Sequence, residues 1–206
     1  MPQVTPFRSI RPIPELADRI AALPYDVYNR REALDETRRE PLSFLKIDRA
    51  ETQFPEDVDT YDPKVYEKAK ELLNSMLQDG SFIMEDAPCY YIYELTMDGR
   101  SQTGIVACSS IDDYQNEIIK KHEKTREDKE LDRIRHVDIT DTHTGPIFLV
   151  YRSVSVINQI VEDAKQEAPL YDFVSSDGIR HRVFRISDQD AIQKLEKAFA
   201  EIPCTY

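Results

Sequence analysis

Thirteen of the nineteen residues from Glu117 to Arg135 carry a formal charge, seven basic and six acidic, and a cluster of that density is where chemistry would be expected. The run is read as an insertion in one α+β domain of 206 residues, with sub-units 1–116 and 146–206 joined by the charged segment 117–145. The whole chain has a net charge of −12, so its acidity lies mostly outside this run. Three of the four histidines, His122, His136 and His143, fall in or just after it, beside Glu123, Asp132, Asp138 and Asp141.

On either side the apolar spacing alternates between helix and strand periods. Ile13, Leu16, Ile20 and Leu23 recur at helical intervals and stop at Pro24, and Asn29 is placed to cap a charged helix ending before Pro41. The apolar SFLKID of residues 43–48 reads as a buried strand, and the acidic 51–61 stretch as a surface loop. Asp62-Pro63 opens the clearest helix, with Val65, Ala69, Leu72, Leu73 and Met76 as its inner stripe and Gly80 where a C-terminal cap belongs. Two β-rich pairs flank Asp98-Gly99 and Asp177-Gly178, each the signature of a hairpin. Residues 145–151, GPIFLVY, read as a further strand. A helix follows with Ile157, Ile160, Val161 and Ala164 inward, and a last one, capped by Ser187, carries Ile192, Leu195 and Phe199. The expected class is α+β, with mixed or mainly antiparallel sheet, two β-hairpins and packed helices. The order strand, helix, hairpin occurs twice, as two β-α-β-β units would require.

Composition excludes several classes. With 40% hydrophobic residues, eleven tyrosines and eight phenylalanines, the chain has the makings of an ordinary core. A sequence pI near 4.8 argues against general nucleic-acid binding, which needs a coherent basic surface. No apolar leader and no 18-residue apolar stretch is present, which makes the cytoplasm the expected location and a membrane partner unexpected. Cys89, Cys108 and Cys204 form no C-x-x-C pair and read as reduced thiols. No G-x-S-x-G, Walker A loop or G-x-G-x-x-G occurs, and five glycines leave little backbone for a phosphate-cradling loop.

Within the charged run, Thr125 with Asp128 three residues on fits a capped helix from about Arg126 to His136. At 100° per residue, Leu131 and Ile134 define its inward face, while Arg126, Lys129, Arg133 and His136 cluster within roughly 80° on the other side. One reading of that stripe is a solvated face. The other is one wall of an anion site, with Arg133 suited to a forked contact with phosphate or carboxylate. His122 and Glu123 are candidates for a general acid–base pair where their side chains converge. His136, Asp138, Asp141 and His143 offer a mixed nitrogen and oxygen set for a borderline divalent ion, although their spacing matches no metal signature and no metal is expected.

Ordered short motifs run nearly end to end: Pro6-Phe7-Arg8, Ile10-Arg11-Pro12, Leu23-Pro24-Tyr25-Asp26-Val27, Ser43-Phe44-Leu45 to Asp48-Arg49, and Tyr61-Asp62-Pro63. They continue through Thr103-Gly104-Ile105-Val106, Asp112-Asp113-Tyr114, His122-Glu123-x-Thr125, Asp132-Arg133 and Pro146-Ile147-Phe148. On these residues the chain resembles the N-terminal half of a widespread bacterial and archaeal family, domain of unknown function 1015. The resemblance implies a longer architecture, in which members continue into an Asp-Gly-His-His-Arg motif similar to one in ParB-like proteins and free-serine kinases. It thereby implies a nucleotide as cofactor or a phosphorylated small molecule as partner. Arg8, Arg11, Arg49, Tyr25 and Asp26 match its motifs and are expected at the same cleft as Thr125, Arg126, Lys129 and Arg133, or as braces that cap carbonyls. The two functional expectations are a phosphate- or nucleotide-dependent small-molecule enzyme domain, incomplete over these residues, and a non-catalytic interaction or regulatory domain that uses helix 126–136.

Overall fold

A computed structural model describes residues 2–121 and 125–203. The described residues form α helices and antiparallel sheets, an α+β fold. The chain divides into two compact units, each assembled from separated segments. One holds residues 2–10, 84–121 and 147–203, and the other residues 11–83 and 125–146.

The first unit is built on a four-stranded antiparallel sheet. β4 (Tyr90–Met97) and β5 (Arg100–Val106) form a hairpin whose turn residues Asp98 and Gly99 both have positive φ, as a two-residue turn of this type demands. β7 (Tyr171–Val174) and β8 (Arg180–Ile186) form the second hairpin, and the sheet order is β5-β4-β8-β7. Alternation along β4 puts Tyr90, Ile92 and Glu94 on one face. There Tyr90 and Ile92 join Phe184 and Ile186 of β8, Ile157 and Val161 of α7 (Ser155–Ala164), and Ile192, Leu195 and Phe199 of α8 (Gln189–Ala200) in one core. Glu94 is buried with them because three partners converge on its carboxylate: Arg182 opposite it in the register, Lys165 at 2.8 Å and the Thr103 hydroxyl at 3.2 Å. The helix α8 is capped by Asp188, whose side chain accepts from the Ala191 amide, and not by the expected Ser187. β1 (Val4–Thr5) pairs with β6 (Cys108–Ser109), after which comes the short α5 (Ile111–Gln115).

The second unit is helical. α1 (Ala17–Ile20) leads to a 3-10 turn at Tyr25–Val27 and then α2 (Arg30–Arg39), which Asn29 and Glu32 close with a reciprocal capping box. α4 (Pro63–Gln78) begins as its sequence dictates, with the Asp62 side chain accepting from the Lys64 amide and proline in the first turn. Val65, Ala69 and Leu73 of α4 pack on Ile47 and Ala50. α6 (Glu127–Thr140) also packs against α4. β2 (Ile10–Pro12) and β3 (Phe82–Met84) make a separate two-stranded ribbon.

Two expected strands are corrected. Residues 45–48 form α3 (Leu45–Asp48), a single helical turn that buries Leu45 and Ile47. The GPIFLVY segment has no strand pairing, and its Ile147 and Phe148 are exposed. The expected β-α-β-β units therefore lack their first strands, leaving helix then hairpin in each. Moreover β4, the first strand of its hairpin, pairs with β8, the second strand of the other, so the two hairpins do not occupy equivalent places. The 51–61 stretch is also less superficial than expected, since Glu51 and Thr52 are buried in a 3-10 turn at Ala50–Gln53.

The orientation of α6 is the largest correction. Leu131 and Ile134 are 45% and 55% exposed, while Asp132, His136 and Thr140, spaced four residues apart, face inward. The helix presents its polar side to the unit because partners wait there. The Tyr66 hydroxyl donates to Asp132 and His136 reaches the Ile47 carbonyl at 3.2 Å, while the buried Thr140 hydroxyl donates within its own helix to the His136 carbonyl at 2.6 Å. Buried hydrogen bonds of this kind specify an orientation that apolar periodicity alone does not. The helix starts at Glu127 with Arg126 as its unassisted N-cap instead of Thr125, and runs past His136 to a left-handed Asp141.

Candidate functional site

Arg49 assembles one wall of a cleft in the second unit. Its Nε donates to buried Glu51 at 2.6 Å, and its Nη1 donates to the carbonyls of Tyr25 at 2.9 Å and Tyr28 at 2.6 Å. The side chain thereby holds the turn after Pro24 in a fixed position. That turn lays the Tyr25 ring beneath Arg133, whose guanidinium carbon is 4.2 Å from the ring centre.

The opposite wall is α6. Arg133 donates from Nε and Nη2 to the neighbouring Asp132 carboxylate at 3.2 and 2.9 Å, and its Nη1 stands 3.9 Å from Asp48. Lys129, one turn earlier, also lines the cleft and has no ion-pair partner among the described residues. Between the walls is a cavity of about 310 Å³, completed by Asp26, Asp48, Thr60, Tyr61 and Tyr66.

Burial shapes the proton affinities behind this cleft. The Asp48 carboxyl is pushed above the ordinary range by desolvation, although a 2.9 Å hydrogen bond from the Thr144 hydroxyl and the nearby His136 and Arg133 pull the other way. His136 is pushed down by desolvation, against the opposing pull of the Ile47 carbonyl bond, so its ring is neutral near pH 7. With Nε2 donating to that carbonyl, Nδ1 is left a buried acceptor without a partner among the described residues. Burial and then Asp132 push the Tyr66 phenol up, so it serves as a donor throughout the physiological range.

Of the residues nominated from sequence, Arg49, Lys129 and Arg133 line the cleft, as do the family-motif residues Tyr25 and Asp26. Arg49 is mainly a brace. Arg126 is exposed and forked onto Asp128, and neither it nor Thr125 lines the cleft. Arg8 donates to the Glu85 carbonyl in the first unit, and Arg11 donates to the Pro12 carbonyl. His122 and Glu123 lie outside the described residues. The metal set does not assemble: His136 is buried, Asp138, Asp141 and His143 are exposed, and no group of three metal-ligating side chains occurs among the described residues. Asp48, Glu51 and Tyr66 were missed as site residues. Asp48 had a signal, since it stands beside Arg49 in a family motif, whereas nothing local marks Tyr66.

Among the described residues no helix is long and apolar enough to cross a membrane. Comparison with curated proteins and with solved structures gives no match. A family model does match, over residues 4–206, a span that includes every residue lining the cleft. The chain belongs to the family described as Protein of unknown function (DUF1015).

Proposed function

We propose that the second unit binds a small phosphorylated ligand in the cleft between the Tyr25 turn and α6, with Arg133 and Lys129 on the phosphate. The observation that carries this reading is the placement of Lys129 and Arg133 one helical turn apart on the same cavity wall. Arg133 is held by Asp132 on one side and the Tyr25 ring below, so little rotamer freedom is lost when a ligand arrives. Its charge is partly neutralised by Asp132, so Lys129 is the cation on this wall that stands without an ion-pair partner among the described residues. A volume of about 310 Å³ sits at the lower end of the roughly 300–1,000 Å³ typical of ligand clefts, which favours a monophosphate over a nucleoside triphosphate. The acid–base role of His122 and Glu123 remains part of the proposal, and an enzymatic reaction would draw on them. Thermal-shift titration with inorganic phosphate, AMP and ATP tests the reading. A ligand that binds the native state at a hundredfold excess over its dissociation constant adds about 2.7 kcal/mol of stability. No shift with any of the three, or unchanged shifts in Lys129→Ala and Arg133→Ala, would sink it.

A second reading, an interaction domain, is favoured by the exposed Leu131 and Ile134 on the outer side of α6. Sedimentation of the wild type and of Leu131→Glu/Ile134→Glu tests it. An identical monomer in both cases would remove self-association as a role for this face.

A further inference from the structure

Resting on the phosphate reading above, we infer that the cleft is specific for phosphate esters carrying a hydroxyl on the carbon chain next to the phosphate, the class of polyol and sugar monophosphates, with Asp48 as the specificity-determining residue. The argument begins from a distance. Asp48 Oδ1 lies 3.9 Å from Arg133 Nη1, too far for a hydrogen bond and near enough that whatever binds Arg133 must also meet this carboxyl. Its Oδ1 is occupied by the Thr144 hydroxyl, and its Oδ2 has no hydrogen-bond partner among the described residues. The side chain is 17% exposed and lines the cavity.

A phosphate oxygen placed against that free oxygen would set two acceptors together. The part of the ligand beside the phosphate must therefore carry a donor. A nucleobase stands several bonds away from its 5′-phosphate and does not reach this point when the phosphate is on Arg133. The donors that can are a hydroxyl or an ammonium on an adjacent carbon. An ammonium placed there would also stand beside the Arg133 guanidinium, whose Nη1 is 3.9 Å from the same carboxyl, and would meet its like charge, whereas a hydroxyl donates to Asp48 without bringing a second cation. Asp26, an exposed carboxylate on the same cavity, and the Thr60 hydroxyl offer further polar contacts to a polyol.

Calorimetry of the full chain with four probes tests this: glycerol 3-phosphate, propyl phosphate, phosphoethanolamine and inorganic phosphate. Glycerol 3-phosphate and propyl phosphate share the ester and the chain length and differ in the hydroxyls. We expect glycerol 3-phosphate to bind about tenfold more tightly, the equivalent of one well-made hydrogen bond. In Asp48→Ala the preference should vanish while propyl phosphate binds as well as before or better. Equal affinities of the two esters in the wild type, a comparison that needs no variant, would overturn the inference and leave the phosphate reading standing. Tightest binding of phosphoethanolamine would overturn it in favour of an ammonium ligand. Failure of all four probes would overturn the phosphate reading and this inference together.

Discussion

The Tyr66 hydroxyl donates to Asp132 Oδ1 at 2.8 Å, a buried bond between α4 and α6 across 66 residues of sequence. Asp132 in turn accepts from Arg133, so the phenol stands at the base of the arrangement that aims the guanidinium. Hydrogen bonds to a charged partner contribute about 1.5–3 kcal/mol, and a buried acceptor left short of donors costs a similar amount. Tyr66→Phe should therefore lower unfolding stability by roughly 1–3 kcal/mol in urea titration. The same variant should weaken phosphate binding without altering any atom of the cavity wall beyond the hydroxyl.

Arg133 and Lys129 should respond differently to substitution. Arg133→Lys keeps the charge but loses the fork on Asp132 and the flat contact with Tyr25, and is expected to weaken phosphate affinity about tenfold with a small stability loss. Lys129→Ala removes a cation with no ion-pair partner among the described residues, so affinity should fall while the melting temperature changes little. Parallel calorimetry and thermal melts check both; a large stability loss in Lys129→Ala would show that its role is structural.

Asp48→Asn should stabilise the protein at neutral pH. Burial raises the folded-state affinity of Asp48 for its proton above the unfolded value. The folded state then binds more protons in the window above the ordinary carboxyl range, and stability falls as pH rises through it. Asparagine is neutral throughout and keeps an oxygen for the Thr144 hydroxyl. The melting-temperature gain should appear at pH 7 and disappear in acid. A variant that is less stable at pH 7 contradicts this account.

Glu94 behaves in the opposite sense. Burial opposes its ionisation, but Lys165 and Arg182 together hold its carboxyl below the usual range. Its contribution is fully present above the unfolded carboxyl pKa and is lost as pH falls through the depressed folded value. Glu94→Ala, which strands two cations beside the sheet, should cost about 3 kcal/mol at pH 7 and progressively less in acid, read from urea midpoints.

Sequence carried the elements whose signals are local. α4 is marked at both ends, by Asp62-Pro63 and by Gly80, whose φ is +82°. The Asp98-Gly99 and Asp177-Gly178 turns are likewise written in adjacent residues, and both hairpins form. Short apolar runs are different. Leu45 and Ile47 are buried as a strand would bury them, yet the chain takes a helical turn, because four to six apolar residues do not distinguish the two. The face of α6 was illegible for another reason. Its polar side is drawn inward by Tyr66 and by the carbonyl of Ile47, 66 and 89 residues away, and no window along the chain contains both helix and partners. The candidate site was legible in part: its cations stood out in a charged run and Tyr25 in a family motif, while Tyr66, whose hydroxyl holds Asp132, came from plain surroundings.

The division of the second unit between residues 11–83 and 125–146 has a consequence for biosynthesis. Tyr25, Asp26, Asp48, Arg49, Glu51 and Tyr66 leave the ribosome first, and Lys129, Asp132, Arg133 and Thr144 follow only after β4, β5 and the rest of the intervening stretch have been translated. During that interval the nascent wall holds three carboxylates against the single guanidinium of Arg49. The cleft can therefore be completed only late in translation, when α6 arrives to close it.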